Sequence, residues 1–474
     1  MTLPAKFVER VLRDLGGTEG AALCAALDAE PPVSVRLNPA KTGADTLPAG
    51  PDAGLPVPEA AGLPALAIAG RVPWSRDGRY LAVRPSFTLD PDFHAGAYYV
   101  QEASSQFVGH LLAAVRTEGA RILDLCAAPG GKTTLYASLA GPDGLVVANE
   151  IDRRRASVLA DNVRKWGTGN VAVTTCEPRA LGDFEAWFDV VAVDAPCSGE
   201  GMFRKDPDAR GEWSEGNVKQ CAARQDEILR EAWRALKPGG TLVYSTCTFN
   251  RDEDEGALER MAAWAGDEIA ESEETAVEDA WGIVCGRVGA FRTFRFYPHR
   301  TCGEGFFAAV ARKSFDAGGR VRAPKARRTV FAAVDRKTAG ELARWVRNPG
   351  GMRFAAVADT CYAWYAAQAD AVRTLSEALP VIYSGVALGQ VFKGVLKPDP
   401  ALAFFDGLNR GALPAAELDD EETLRFLRRQ DIVAGGLAEG MNLVCSRGRA
   451  LGFAKRIGAR VNNLYPNSLR IIKQ

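Results

Sequence analysis

Two cysteines stand where short apolar runs give way to loops: Cys197 in DVVAVDAPCSGEG and Cys247 in TLVYSTCTFN. A thiol at the end of a strand is more often a small buried hydrophobe than a reactive group. Here two neighbouring runs would deliver Asp194-Ala195-Pro196-Cys197 and Ser245-Thr246-Cys247 to the same sheet edge. In a doubly wound sheet, ligands bind beyond the carboxyl ends of the strands. Two thiols and the Asp194 carboxyl are therefore expected around one cleft.

A third feature belongs to that edge. LDLCAAPGGKTT, Leu123 to Thr134, reads as a strand, an acidic residue, a turn of small residues and a helix start. Gly130 and Gly131 permit a close backbone approach to a ligand, and the helix N-terminus offers free amide donors. A phosphate-binding P-loop needs glycine where Cys126 stands, so GxxxxGKT fails. The alternative is a nucleoside cofactor, whose ribose hydroxyls bind an acidic residue closing the second strand. Glu150, ending LVVANE, holds that place. Asp124 and Glu150 together point to an adenosyl-type cofactor.

A thiol, a carboxylate and an adenosyl cofactor suit methyl transfer to carbon 5 of a pyrimidine. That carbon is a weak nucleophile. Thiolate addition at carbon 6 makes it an enamine, dividing one hard step into easier ones. Asp194 is placed to support a proton at ring nitrogen 3. After transfer, carbon 5 loses its proton and the thiol is eliminated, with a second thiol or a water assisting. Lys132, Arg204 and Lys205 are candidates for stabilising the thiolate. These residues alone do not rank Cys197 against Cys247.

The elements that must position these groups follow from periodicity. Short apolar runs (RILDLC, LVVANE, VAVTT, DVVAVDA, TLVYSTC) alternate with amphipathic stretches such as DRRRASVLADNVRKW and NVKQCAARQDEILREAWRAL. This alternation predicts an α/β fold with a parallel, doubly wound sheet. GAFRTFRFYP and EGFFAAVAR are expected to close it as a pair of edge strands. The acidic stretch from Arg251 to Thr275 is expected to be a solvated outer face. Trp166, Trp187 and Trp233 are expected in core or interface packing, and His299 in a structural role.

The chain has 474 residues, 47% of them hydrophobic and 25% charged, which argues against extended disorder. At roughly 100–200 residues per domain it holds two to four domains. The expected boundaries are an N-terminal RNA-binding extension (1–95), a catalytic domain (96–315), a basic linker (316–330), an intermediate domain (331–400) and a C-terminal RNA-binding domain (401–474). Within the extension, RYLAVR and FTLD are expected strands, and ADTLPAGPDAGLPVPEAAG a turn-rich connection. No apolar run reaches the length of a membrane span, and the first residues read as an amphipathic helix, so a cytoplasmic protein is expected. Ten scattered cysteines without CxxC spacing and three histidines predict no metal site. Net charge is −1, so nucleic-acid contacts would need local basic surface. The tail after Glu439 supplies one, with seven Lys/Arg, no Asp or Glu, and Tyr465 interleaved.

The chain resembles the RNA (cytosine-5) methyltransferases, and among them the bacterial small-subunit ribosomal RNA branch. The resemblance rests on AGAYYVQEASS (95–105), LDLCAAPGGKTT (123–134), DAPCSGEGMFRKD (194–206), LKPGGTLVYSTCTFN (236–250) and GEGFF (303–307), with VSVRLNP and LGFAKRIGARVNNLYPNSLR outside the central domain. It implies a Rossmann-like class I methyltransferase core with a smaller N-terminal α/β extension and a C-terminal α+β, PUA-like region. It implies S-adenosyl-L-methionine held by Cys126, Ala127, Ala128, Pro129, Gly130, Gly131, Lys132, Glu150 and Asp194. Glu177 stands where the family often has Asp for an adenine contact, which leaves that contact open. It further implies Cys247 as nucleophile and Cys197 in product release, with 16S rRNA or a small-subunit particle as partner and a monomeric enzyme. Phe203, Arg204, Lys205, Lys455 and Arg456 are the candidate RNA contacts. The alternatives are the same chemistry on tRNA, a P-loop NTPase and a non-catalytic assembly factor.

Overall fold

The computed structural model describes residues 2–43 and 63–472, so the connection expected around 44–62 lies outside the described residues. The chain opens with helices α1 (Ala5–Leu15) and α2 (Gly17–Leu27). A four-stranded antiparallel sheet follows, made of β1 (Val33–Leu37), β2 (Ile68–Arg71), β3 (Gly78–Leu81) and β4 (Tyr98–Tyr99) in the order β2-β3-β1-β4. RYLAVR supplies β3, but FTLD is a 3-10 turn over Phe87–Leu89 instead of a strand. Pro91, at the first position of the next helical turn, has no N–H for a ladder.

The central sheet is built on five parallel strands: β5 (Arg121–Asp124), β6 (Leu145–Asn149), β7 (Val171–Thr174), β8 (Phe188–Asp194) and β9 (Leu236–Thr246). They lie in the order β7-β6-β5-β8-β9, and both faces are covered, which is why their sequences are almost continuously apolar. Helices α3 (Gly131–Ala140), α4 (Arg153–Trp166) and α5 (Glu215–Ala235) connect them. Residues Val218, Cys221, Ala222, Gln225, Ile228, Leu229, Ala232 and Trp233 form the buried stripe of α5. Trp166, Trp187 and Trp233 are all buried, as expected of packing residues.

Beyond β9 the sheet turns antiparallel. The short β10 (Ile269–Ala270) flanks it, and β11 (Val284–Val288), β12 (Phe291–Phe296) and β13 (Phe306–Lys313) extend it in the order β11-β12-β13-β9. The predicted pair β12 and β13 is present, but β12 is not the edge. β11 covers it through a two-residue turn, and its exposed side chains carry no apolar alternation to read. At the opposite end, β14 (Val381–Ser384), from the stretch assigned to the intermediate domain, pairs antiparallel with β7. The remaining C-terminal strands form a five-stranded sheet between Ala332 and Pro398 and a four-stranded one between Ala415 and Asn463. Among the described residues no helix is long and apolar enough to cross a membrane.

Side chains of the N-terminal sheet region clasp helices α3 and α4. Arg36 Nε donates to Gln101 Oε1 at 2.7 Å, and its Nη2 donates to Thr134 Oγ1 at 2.6 Å and Gly131 O at 3.1 Å. Its guanidinium lies 4.5 Å over the Trp166 ring. Asn38 and Lys41 donate to the carbonyls of Trp166 and Lys165 at the end of α4, at 2.9 and 2.6 Å. Burial lowers the Lys41 ammonium to about 7.

The C-terminal module docks on the same region. Arg447 reaches Asp90 at 3.3 Å and Asp92 at 2.9 Å, and Arg449 reaches Asp92 at 2.8 Å. Tyr465, expected on a basic RNA-facing surface, is instead fully buried, packed on Phe426 with its hydroxyl 3.3 Å from His94 Nδ1. Tyr465 follows the last strand, Arg460–Asn463, in a loop whose burial depends on contacts with distant residues such as Phe426 and His94. Both aspartates are almost wholly buried. Arg447→Met should therefore cost about 2–3 kcal/mol, Arg449 still serving Asp92, and lower the melting temperature in a thermal scan.

Candidate active site

The two thiols meet. Cys197 Sγ lies 3.3 Å from Cys247 Sγ, and Ala195 N–H bonds the Ser245 carbonyl at 2.8 Å between the ends of β8 and β9. The hydrogen bond to Cys247, then burial, push Cys197 well above its ordinary thiol value. Cys197 is thus the thiol of the pair held toward its protonated form. The Gly201 N–H donates to the Cys247 carbonyl at 2.8 Å. A methyl group on Gly201 would meet Gly305 O at 2.5 Å, and one on Gly305 would strike the Phe249 ring at 2.3 Å. Gly201 and Gly305 are therefore spaces into which the two loops fit.

Asp194 ends β8 with its carboxylate partly exposed to the cleft. Lys132 Nζ lies 2.8 Å from one oxygen and Ser245 Oγ donates to the other at 2.8 Å. Burial opposes the charge on Lys132, but Asp194, Cys247 and Asp124 outweigh it and hold the ammonium above its ordinary value. Arg204 and Lys205 do not join it. Arg204 is locked onto Glu304 at 3.0 Å and the Gly303 carbonyl at 2.6 Å, and Lys205 is exposed.

A cleft opens beside Lys132 and Asp194, lined by Tyr99, Gln101, Asp124, the turn Cys126–Pro129 and Gly131. Gly130 caps α3 with φ +111°, a conformation that only glycine adopts cheaply. Glu150 closes β6, buried, accepting the Asp152 N–H at 3.0 Å. Arg155 bridges Glu150 at 3.3 Å and the Ala128 carbonyl at 3.0 Å. Burial pushes the Cys126 thiol far up, which favours its protonated form. Glu177 does not line this cleft. It sits exposed at the N-cap of the short helix Pro178–Gly182.

Asp124, beneath the turn, accepts from Thr133 Oγ1 at 2.6 Å, yet burial raises its carboxyl to about 7. Ionising it costs more in the fold than in the unfolded chain. Its contribution to stability is full below the ordinary value near 3.8 and is lost as pH rises through about 7. Asp124→Asn should remove that loss, so its melting temperature should gain on wild type from pH 4.5 to about pH 7 and hold that gain at pH 8.

Of the RNA candidates, Phe203 is fully buried, edge-to-face with Phe7 at 5.0 Å, and cannot stack on a base. Helix α1 covers it, a contact between distant parts of the sequence. Arg456 is spent on the Leu437 and Ala434 carbonyls at 2.6 and 3.2 Å. Lys205 and Lys455 remain exposed. His299 accepts a structural role, its Nε2 2.8 Å from Glu19.

The expectation of a solvated acidic face fails at the point nearest the chemistry. Glu253 and Asp254 are completely buried. Glu253 Oε2 accepts the Ser198 N–H and Gln225 Nε2, each at 2.9 Å, and Oε1 accepts Asn250 Nδ2 at 2.6 Å. Asn250 Oδ1 accepts the Glu253 N–H at 2.9 Å, so the two side chains bind each other's residue across one turn. That Asn-x-x-Glu spacing was the available signal. Glu200, also buried, accepts from Phe249 N, Trp213 Nε1 and Arg10.

Three family models match this chain: 16S rRNA methyltransferase RsmB/F over residues 111–312, the N-terminal domain of 16S rRNA methyltransferase RsmF over 3–103, and the methyltransferase RsmF PUA domain over 414–471. It is 32% identical over 418 residues to ribosomal RNA small subunit methyltransferase F of Shewanella loihica, covering 84% of this chain and 83% of that one. The chain belongs to the 16S rRNA methyltransferase RsmB/F family. The corresponding protein of Erwinia tasmaniensis is 31% identical over 421 residues, covering 84% of each chain. Among solved structures, a methyltransferase homolog from Pyrococcus horikoshii aligns with a TM-score of 0.50 at 27% identity, over 66% of this chain and all of that one. NSun6 from the same organism, solved with SFG, shares the fold with a TM-score of 0.53 at 20% identity, over 65% of this chain and 98% of that one.

The cofactor of this RNA methyltransferase family is S-adenosylmethionine, and the cleft fits it. Arg36 can only donate, so it fixes the oxygen of the Gln101 amide and leaves the buried Nε2 without a partner beside Gly131. An acceptor at the start of α3 would satisfy that donor and the free amides there. The Asp124 carboxyl lines the cleft, while Glu150 lies behind its turn, buried against the Asp152 N–H and Arg155 and outside the lining.

Proposed function

We propose that this chain methylates carbon 5 of cytosine in 16S rRNA, with Cys247 as the covalent nucleophile. The single observation that carries this reading is the 3.3 Å thiol pair beside the Lys132–Asp194 ion pair, at the rim of the cofactor cleft. The family membership and the small-subunit names of its relatives support the substrate. The target base would leave its stack to reach this pocket.

The steps follow from the residues present. Cys197 donates its S–H toward Cys247 and, with the Lys132 charge nearby, favours the Cys247 thiolate. That thiolate adds to carbon 6 while nitrogen 3 takes up the proton Cys247 has released, held there by a hydrogen bond to the Asp194 carboxylate and given up again when the thiol is eliminated. Bound S-adenosylmethionine, held by the turn from Cys126 to Lys132 with Asp124, supplies an electrophilic methyl group. Carbon 5 then gives its proton to water, the C–H pair closes the 5,6 double bond, and the carbon–sulfur pair returns to Cys247. Cys197 stabilises that departing sulfur. One chain supplies every group, which supports a monomeric enzyme. Exposed Lys205 and Lys455 fit phosphate contacts that position RNA without reading its sequence.

Purified protein incubated with S-adenosylmethionine and either 16S rRNA, small-subunit particles or tRNA tests the reading by bisulfite sequencing. New protected cytosines in 16S rRNA or the particles support it. Protection confined to tRNA, or methyl incorporation without any protected cytosine, overturns it.

A further inference from the structure

Cys197 and Cys247 sit on separate loops, and something must hold their sulfurs together. The strand register of β8 with β9 ends at Asp194 and Ser245, before either thiol, and past it the backbones touch through Ala195 N–H to the Ser245 carbonyl and Gly201 N–H to the Cys247 carbonyl, each at 2.8 Å. Beyond that point the two loops share one buried carboxylate. On one side, Glu253 Oε2 accepts the N–H of Ser198, the residue after Cys197. Gln225 Nε2 binds that same oxygen at 2.9 Å and the carbonyl of Pro196, the residue before Cys197, at 3.1 Å. On the other side, Glu253 Oε1 accepts Asn250 Nδ2, which lies 2.8 Å from the hydroxyl of Thr248, the residue after Cys247. Thr248 and Ser198 hydroxyls are 3.1 Å apart. The Glu253 carbonyl is itself fixed by the Tyr244 hydroxyl at 2.6 Å, from the strand that carries Cys247.

We infer that Glu253 is the positioning residue that holds the Cys197 thiol against Cys247, and that through Cys197 it controls release of the methylated RNA. The inference rests on the proposed role of Cys197 in release. Glu253 touches neither substrate nor cofactor cleft. Its three acceptor contacts are made to donors only, so an amide in its place turns one contact into a clash of donors. The loop bearing Cys197 then shifts, while Thr246 and the start of the Cys247 loop stay fixed by β9 and by the Thr246 hydrogen bond to Asp254 at 2.5 Å. Addition and methyl transfer continue. The release step suffers, in which the C–H pair of carbon 5 closes the ring double bond, its proton passes to water, and the carbon–sulfur pair returns to Cys247.

The test compares Glu253→Gln, Gln225→Met, Cys197→Ala and Glu253→Gln/Cys197→Ala in the full chain with 16S rRNA and S-adenosylmethionine. The denaturant-stable protein–RNA adduct and single-turnover methyl transfer are measured together, with melting temperature as the control for folding. Cys197→Ala should accumulate adduct. Glu253→Gln should raise adduct over wild type by about tenfold or more, a typical cost of a misplaced group, with methyl transfer within about threefold of wild type. The double variant should hold no more adduct than Cys197→Ala alone, because Glu253 acts through Cys197. Gln225→Met, which keeps the acid but removes its Gln225 donor and the tie to the Pro196 carbonyl, carries the test should Glu253→Gln not fold. Wild-type adduct levels in folded Glu253→Gln or Gln225→Met overturn the inference, as does methyl transfer falling in step with release. Absence of adduct in Cys197→Ala overturns the proposed release role itself, and with it this inference.

Discussion

Alanine at Cys247 should abolish methylation, while alanine at Cys197 should trap the enzyme on its RNA. The two sulfurs are 3.3 Å apart, so either variant disturbs the same small volume, yet the outcomes should be opposite. Without the Cys247 thiolate no carbon–sulfur bond forms, carbon 5 never becomes nucleophilic, and turnover should fall more than roughly a thousandfold, as for other covalent nucleophiles. No adduct should appear on a denaturing gel or in a mass spectrum. Without Cys197 the bond still forms, and the adduct should persist. A Cys247→Ala protein that still methylated, or one that still cross-linked, would reverse the assignment of the two thiols.

Asp194→Asn carries the second large effect. Asp194 is shared between Lys132 and Ser245 and keeps part of its carboxylate toward the cleft. An asparagine keeps the shape and the hydrogen bond from Ser245, but it does not support a proton at nitrogen 3 and leaves Lys132 without its counter-charge. Turnover should drop by about 10²–10⁴, the usual range for losing a proton-transfer group. Calorimetric affinity for S-adenosylhomocysteine should change far less, because Asp124 and the turn remain. A loss of cofactor affinity equal to the loss of turnover would place Asp194 in cofactor binding instead.

The parts of this site that sequence disclosed are those written in local pattern. Apolar runs ending in Asp-Ala-Pro-Cys and Ser-Thr-Cys place two thiols at strand ends, and a parallel sheet brings such ends to one rim whatever the loops do. The small-residue turn before α3 is equally local, and the absence of glycine at Cys126 disposes of a phosphate loop without any coordinates. What stayed hidden depends on contacts between distant segments. Arg10 binds Glu200 across 190 positions. Phe203, with a basic neighbour on its C-terminal side, has the composition of a base-stacking loop until α1 is laid over it. Glu253 reads as one acid among several in RDEDE, because charge density describes a surface only when the backbone keeps it there. Here Asp252 stays exposed while the Asn250–Glu253 pair helps turn Glu253 and Asp254 inward, and α6 (Glu255–Ala265) begins just beyond them.

The clasp made by Arg36, Asn38 and Lys41 has a practical meaning for anyone trimming the protein. These three side chains finish the ends of α3 and α4, tasks that helices usually assign to residues of their own caps. Cutting the polypeptide ahead of Gln101 would leave the last carbonyls of α4 bare, the Trp166 ring without its cationic lid and the first turn of α3 unbraced. A shortened version is expected to come out insoluble or half-melted, and its inactivity would say nothing about how tightly the missing part grips RNA.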